Sequence, residues 1–365
     1  MRTDSTVTPA DLDAHVQAII RWHFSPETGS PYWLRKAASL GFDPLTEVRT
    51  FADLAKFPPV ADEWRTVPAP DLIPRGCPGP FSVWETGGTT GAPRRIVDAS
   101  VRFRGLLRVN RTLDQHGFPG RRADQEEAAH PDFGWLHLGP TGPHLVGTNM
   151  ARLARLRGAL LYTVDLDPRW VKRLYQEGRM QEARAYTAHL VEQALLILRT
   201  QPIQVISTTP PLLEALLAHP EASRLVRERV SGVIWFGTSM TEESLRLLEE
   251  ELLPGVVLVG WYGNTLMGIA CQRPRRAGDP HRCIFAPPSP EAVIQLVDPQ
   301  EPTRLVGYGE AGQVRLSVLT QELFLPWHLE RDQAVRVPPA EPGGWDGLAQ
   351  VSPLGGGGPQ VEGVY

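Results

Sequence analysis

The chain has 365 residues, with 37 Lys and Arg against 41 Asp and Glu and a formal net charge of −4 at pH 7. That balance lacks the concentrated basic field of sequence-independent nucleic-acid binders, while 42% hydrophobic and 21% charged residues is ordinary globular composition, enough for one large domain or two. Cys77, Cys271 and Cys283 are scattered and odd in number, which implies no disulfide framework and fits a reducing, cytoplasmic setting; no signal peptide and no apolar run of membrane-spanning length is apparent.

Residues 9–23 read as a helix: Thr8 caps it, Pro9 suits its first turn, and Leu12, Val16, Ile19 and Ile20 recur at helical spacing. "TFADLAKFPPV" is a short helix stopped by Pro58 and Pro59, and 71–98 is loop-rich, with "FSVWE" a strand leading into a glycine loop. "RLRGALLYTVD" reads as a strand, and 168–200 as two helical patterns. "IQVISTT" is a β-branched strand followed by a helix from Pro210, "VSGVIWFGT" another strand, "TEESLRLLEEELL" a helix started by Thr241, and "GVVLVGWYG" again a strand. Such alternation predicts an α/β layer architecture with parallel pairing. After about residue 290 the pattern becomes short strands and turns ("AVIQLVD", "GQVRLSVL", "AVRVP"), predicting a small antiparallel β subdomain. The expected organisation is an α/β core over 1–290, a β subdomain over 291–345 and a flexible tail over 346–365 containing "GGGG".

The most informative stretch is "WETGGTTGAPRR" at 84–95. Gly87, Gly88 and Gly91 let backbone N–H groups approach an oxyanion, Thr86, Thr89 and Thr90 add hydroxyl donors, and Arg94 and Arg95 add planar cations. Neither GxxxxGK[ST] nor GxGxxG is present, and taken by itself the loop reads equally as a phosphate cradle or as a mobile surface loop.

Residues 86–94 resemble, position by position, the phosphate loop of the adenylate-forming superfamily of acyl-CoA synthetases, luciferases and peptide-synthetase adenylation domains, with Arg94 at the usual lysine position. "VIWFGTSMTEESL" resembles the family's acyl- and adenine-contacting element, "VGWYGNTLMG" its adenine motif, "GYGEAGQVRLSVL" its Gly-Glu-x-Gly turn, and "LPWHLERDQAVRV" its ribose-binding segment. The N-terminal "SPYWLRKAASLGFDPLTEVRTFADLAKFPPV" is similar to the phenylacetate–CoA ligase and bioluminescence acyl-protein synthetase branches. The resemblance implies the large α/β domain of that fold and activation of a small aromatic or acyl carboxylic acid by ATP with Mg2+, as acyl-adenylate, with release of pyrophosphate. The acyl group then passes to a separate acceptor, an amine, a carrier thiol or a partner protein.

The implied nucleotide-binding residues are Thr86, Gly87, Gly88, Thr89, Thr90, Gly91, Arg94, Arg95, Gly237, Thr238, Tyr262, Gly263, Asn264, Thr265 and Asp332, and the implied catalytic residues are Arg94, Thr265 and His144. The acid pocket is expected within 137–144, 207–210, 235–240 and 261–267. Plainer readings stand beside these: core packing for Trp261 and Tyr262, a surface ion pair with Arg331 for Asp332, and structural histidines for His137 and His144.

Two departures bear on the chemistry. Leu266 stands where the family's Mg2+-binding glutamate falls, and no lysine follows Lys172, so the family's lysine-bearing C-terminal domain is not expected here. No cysteine follows Cys283 to accept an acyl group. A CoA ligase aided by a separate C-terminal domain, and a non-catalytic nucleotide- or acyl-binding subunit, are the alternative functions. Cys271, His281 and Cys283 lack a fourth ligand and regular spacing for zinc, and "RPRR" at 273–276 reads as a solvated turn.

Overall fold

A computed structural model describes residues 8–87, 92–99, 101–125, 130–131 and 133–355, the side chains of 101–104 excepted. The described chain forms two units, each discontinuous in sequence. The first takes the residues up to Arg102 together with Asn264–Ala270 and Ala286–Gly355; the second takes Phe103–Gly263 and Cys271–Phe285.

In chain order the strands are β1 (Ser82–Glu85), β2 (Arg95–Asp98), β3 (Phe133–Gly139), β4 (Ala159–Asp165), β5 (Ile203–Thr208), β6 (Gly232–Phe236) and β7 (Val257–Asn264). They continue as β8 (Gly268–Gln272), β9 (Ile284–Ala286), β10 (Ala292–Val297), β11 (Ala311–Leu319), β12 (Phe324–Val337) and β13 (Gly347–Pro353).

The second unit is a parallel layer in the order β4-β3-β5-β6-β7. Leu136, Ile206, Val233 and Leu258 stand side by side across four of these strands. They join one apolar core with Leu190, Val191, Ala194, Leu195 and Leu198 of the helix Met180–Thr200, and with residues of the helices Pro210–Ala218 and Pro220–Arg229. The spacing of those five residues is that of one helical face, which is why the 168–200 pattern was readable. Thr241 caps the helix Glu242–Leu247 by accepting from Ser244 N at 3.0 Å, and the helix runs on as a π turn, Leu248–Leu252.

The first unit contains the β1–β2 hairpin and an antiparallel array in the order β10-β11-β12-β13. Its N-terminal helices, Leu12–Phe24 and Pro31–Ala37, are pinned to this array by aromatic side chains. Trp33 lies 5.0 Å from Phe324 between ring centroids, Trp22 Nε1 donates to the Gln321 carbonyl, and His23 Nε2 lies 2.7 Å from the Thr320 carbonyl.

The mixed α/β class is as expected, and three local readings are corrected. Only Ala159–Asp165 of "RLRGALLYTVD" is strand, because Arg155 and Leu156 still belong to the helix Leu145–Leu156. β3, whose seven residues are all buried between β4 and β5 of the parallel layer, was not recognised in the sequence. Gly347–Pro353, placed in the flexible tail, forms β13, held by pairing to β12 that the glycine-rich local sequence does not reveal.

Candidate active site

In the first unit, the glycine loop is closed at its base by the hairpin that carries it. Glu85 and Arg95 are ladder partners, and one step further the Thr86 N–H donates to the Arg94 carbonyl at 3.0 Å while the Arg94 N–H donates to Thr86 Oγ1 at 2.9 Å. Thr86 thus fixes the backbone of Arg94 from both sides. Arg94 turns its side chain inward, 14% exposed, with Nη2 on Asp62 Oδ1 at 2.7 Å and Nε buried without a hydrogen-bond partner among the described residues. Arg65 joins the same carboxylate at 3.1 Å and donates to the Ala92 carbonyl, bracing the loop's far arm. The Arg94 hydrogen bond, then that of Arg65, holds the Asp62 carboxyl below the usual carboxylate range. Arg95 points elsewhere: its side chain is 51% exposed and pairs with Glu85 at 3.2 Å. Gly87 is half-buried, and Gly88, Thr89, Thr90 and Gly91 lie outside the described residues.

The end of β7 supplies a second group of the same unit. Asn264 Oδ1 accepts from the Leu266 and Met267 N–H groups at 2.9 and 3.1 Å, an arrangement that closes a tight turn and leaves the amide N–H donors facing outward. One of them donates to Glu330 Oε1 at 2.8 Å. Thr265 Oγ1 lies 3.4 Å from the Glu85 carbonyl, a long contact that brings the motif turn to the hairpin base. Leu266 is buried at 2% exposure and offers no oxygen ligand.

The third group is on β12. Arg315 pairs with Leu329 and Gln313 with Gln333, so residues 330–332 bulge opposite Val314. Bulges loosen the ladder and re-aim side chains, and this one carries Glu330 and Asp332. Glu330 is 14% exposed, and its Oε2 lies 3.9 Å from His328 Nε2, beyond hydrogen-bond reach. Burial, reinforced by the Arg94 charge, lowers His328 to about 4, so it is neutral near pH 7. Burial raises Glu330 to about 6 against the bond from Asn264, with Asp332 adding repulsion, so Glu330 is an anion near pH 7.

These residues fit a polyphosphate and a hard cation. Arg94 has an unsatisfied buried donor and Arg65 a second positive charge, both suited to phosphate oxygens. Glu330 is a largely buried carboxylate of the type that binds Mg2+ together with substrate phosphates.

The second unit holds the remaining predicted residues. Gly237 follows β6 at φ 88°, a conformation that favours glycine, and the hydroxyl of the next residue, Thr238, is buried without a partner among the described residues. Tyr262 meets Phe285 at 5.9 Å between centroids, while Trp261 is 4% exposed and packs in the core. Gly263 ends this unit's share of β7. His144 is half-buried at the N-terminal boundary of the helix Leu145–Leu156.

His137 is fully committed. Trp135 Nε1 donates to Ser207 Oγ at 2.9 Å, and Ser207 Oγ lies 3.0 Å from His137 Nδ1. His137 Nε2 lies 3.2 Å from the Pro140 carbonyl, so Nε2 carries the proton and Nδ1 accepts the Ser207 hydroxyl. Burial lowers this histidine to about 4, so it is a neutral structural residue. Cys271 and Cys283 are buried free thiols, and among the described residues no group of three or more His, Cys, Asp or Glu side chains is placed to hold a metal.

The structure therefore gathers Thr86, Arg94, Asn264, Thr265 and Asp332 within one unit, adjoins Arg95 to them only through its backbone, and places His144, Gly237, Thr238, Tyr262 and Gly263 in the other. Asp62, Arg65, His328 and Glu330 were not recognised as site residues from the sequence. The alternation His-x-Glu-x-Asp in "WHLERD" was the available signal for two of them, since alternate strand residues share a face.

No protein-family model matches the sequence, and no curated protein matches it either. Solved structures do. A 2-hydroxyisobutyryl-CoA ligase in an open conformation with 2-HIB-AMP and CoA superposes with a TM-score of 0.61 at 13% identity, covering 95% of this chain and 70% of that one. The same ligase in the postadenylation state with R3-HIB-AMP gives 0.60 at 13% identity, covering 97% and 71%. Identity this low speaks to the fold alone. Among the described residues no helix is long and apolar enough to cross a membrane. Over most of its length this chain has the fold of these 2-hydroxyisobutyryl-CoA ligase structures, which is the fold that the motif resemblance implied.

Proposed function

We propose that this chain activates a small carboxylic acid, aromatic or acyl, by attack of its carboxylate on the α-phosphorus of ATP, forming an acyl-adenylate and expelling pyrophosphate. The observation that carries this reading is the convergence, in one unit, of the loop base at Thr86 and Arg94, the turn at Asn264 and Thr265, and the bulge at Glu330 and Asp332. In this proposal Arg94 and Arg65 hold the β- and γ-phosphates, Thr265 addresses the α-phosphate, and Asp332 accepts from the ribose hydroxyls. Bound Mg2+ would neutralise phosphate charge as pyrophosphate departs. The protein's share is preorganised positive charge, with no reorganisation needed when the transition state forms. The acceptor is a separate amine, thiol or protein.

The test is exchange of labelled pyrophosphate into ATP across a panel of aromatic, aliphatic and hydroxylated acids. At least one acid is expected to support exchange well above the acid-free rate. ATP binding with no exchange for any acid would replace this reading with that of a non-catalytic nucleotide-binding protein.

A further inference from the structure

We infer that Glu330 is the carboxylate through which a divalent cation is coupled to nucleotide binding in this chain; the inference rests on the polyphosphate reading of the Arg94 loop. The charge arrangement requires something of this kind. Glu330 sits largely buried, and the hydrogen bond it accepts from Asn264 is from a neutral amide. Two cations reach Glu330 by their fields: Arg94, already shared with Asp62, and the exposed Arg331. A polyphosphate drawn to Arg94 would bring further negative charge toward a carboxylate whose local neutralisation is incomplete.

Two hard anions held close in a partly desolvated site are reconciled by a hard cation between them, and Mg2+ is usually held by one or two carboxylates plus substrate phosphates. The motif turn provides no carboxylate ligand. Leu266 is aliphatic and buried, and the side-chain oxygen of Asn264 is consumed by two backbone N–H groups. Because that oxygen is fixed inward, the Asn264 amide nitrogen is fixed on Glu330 Oε1, which orients the carboxylate. The bulge at 330–332 interrupts regular pairing with β11, while Asp332 still pairs with Pro353 of β13, and so permits the placement of Glu330. Asp332, on the same bulge, is the acid nearest in sequence, and it serves as the discriminating control.

The experiment is calorimetric titration of the full chain with ATP, once with MgCl2 and once with EDTA, for wild type, Glu330→Gln and Asp332→Asn, with thermal unfolding of each to confirm folding. Wild type should bind ATP at least about tenfold more tightly with Mg2+, a ratio equivalent to one decade in Kd. In Glu330→Gln the Mg2+-free affinity should equal or exceed that of wild type, and the Mg2+ gain should shrink to within about threefold, since the anion that required the cation is gone. Asp332→Asn should weaken binding in both media and keep the gain. An unchanged Mg2+ gain in Glu330→Gln, or its loss only in Asp332→Asn, overturns the assignment while leaving the nucleotide reading intact. Absence of ATP binding by wild type in both media overturns both. If Glu330→Gln fails to fold, Glu330→Asp, which retains the charge but shortens its reach, should keep a reduced gain; a full gain there counts against Glu330.

Discussion

The two arginines closing the glycine loop look interchangeable in sequence, yet their surroundings predict very different losses on truncation. Arg94 has a side chain 14% exposed, a backbone fixed by Thr86 and a buried Nε without a partner among the described residues. Arg95 is 51% exposed and spends its guanidinium on Glu85. A hydrogen bond to a charged group contributes about 1.5–3 kcal/mol. Two such bonds from Arg94 to phosphate, strongest as pyrophosphate leaves, amount to about 3–6 kcal/mol, or about 10²–10⁴-fold in rate. Arg94→Ala should therefore lower acid-dependent pyrophosphate exchange by that factor, and Arg95→Ala by less than about fivefold, as befits an exposed pair worth at most about 1 kcal/mol. The folding background is favourable, because the Asp62 partner of Arg94 is 77% exposed and its loss should cost no more than about 1 kcal/mol of stability. Exchange rates at saturating acid, alongside thermal unfolding of each variant, make the comparison. A loss in Arg95→Ala equal to or greater than that in Arg94→Ala would refute the assignment of the phosphate cation.

Further outcomes concern the scaffold. His23 and His137, one in each unit, are lowered by burial from 6.5 to about 4. The unfolded chain therefore binds more protons between those values, so stability is full above about pH 6.5 and falls as pH drops toward 4. Each histidine contributes up to about 3 kcal/mol; urea unfolding at pH 7 and pH 4.5 measures it, and a His23→Gln/His137→Gln double variant should lose much less stability over that interval, keeping the share of His328. Arg157 is fully buried, bonded to Asp114 Oδ1 at 3.0 Å, Asn110 Oδ1 at 2.8 Å and the carbonyls of Phe118 and Pro119. Arg157→Met should cost about 3–5 kcal/mol by stranding those acceptors, read as a lowered urea midpoint.

The contrast between what could and could not be read locally follows range of interaction. Helices such as Met180–Thr200 announce themselves because their apolar period is complete within the segment. β3 does not: "FGWLHLG" mixes two glycines and a histidine into a fully buried strand, and His137 is tolerated there only because Trp135 and the distant Ser207 settle its hydrogen bonds. β13 likewise depends on β12. The site divides in the same way. Thr86, Arg94, Asn264 and Thr265 stand in contiguous motifs whose chemistry is local. Asp62 and Glu330 acquire meaning only when the chain brings Asp62 to Arg94, 32 residues away, and Glu330 to Asn264, 66 residues away.

Asp62 is the residue whose role sequence could not suggest, and its charge makes a signed prediction. It faces Arg94 and Arg65 together, leaving one positive charge in excess at the loop base. Whether a phosphate displaces Asp62 from Arg94 Nη2 or binds beside it at Nε, the carboxylate opposes the anion, by competition in one case and by repulsion in the other. Exposure at 77% screens that opposition, so its size is that of a surface ion pair, about 0.2–1 kcal/mol. Asp62→Asn keeps the shape and an acceptor oxygen for both arginines while removing the charge. ATP affinity in EDTA should accordingly rise by about 1.5- to 5-fold, with the rise shrinking as salt is added. A fall in affinity would mean that Asp62 acts chiefly by aiming Arg94, and that the ion pair is a support for the loop rather than a counterweight to its ligand.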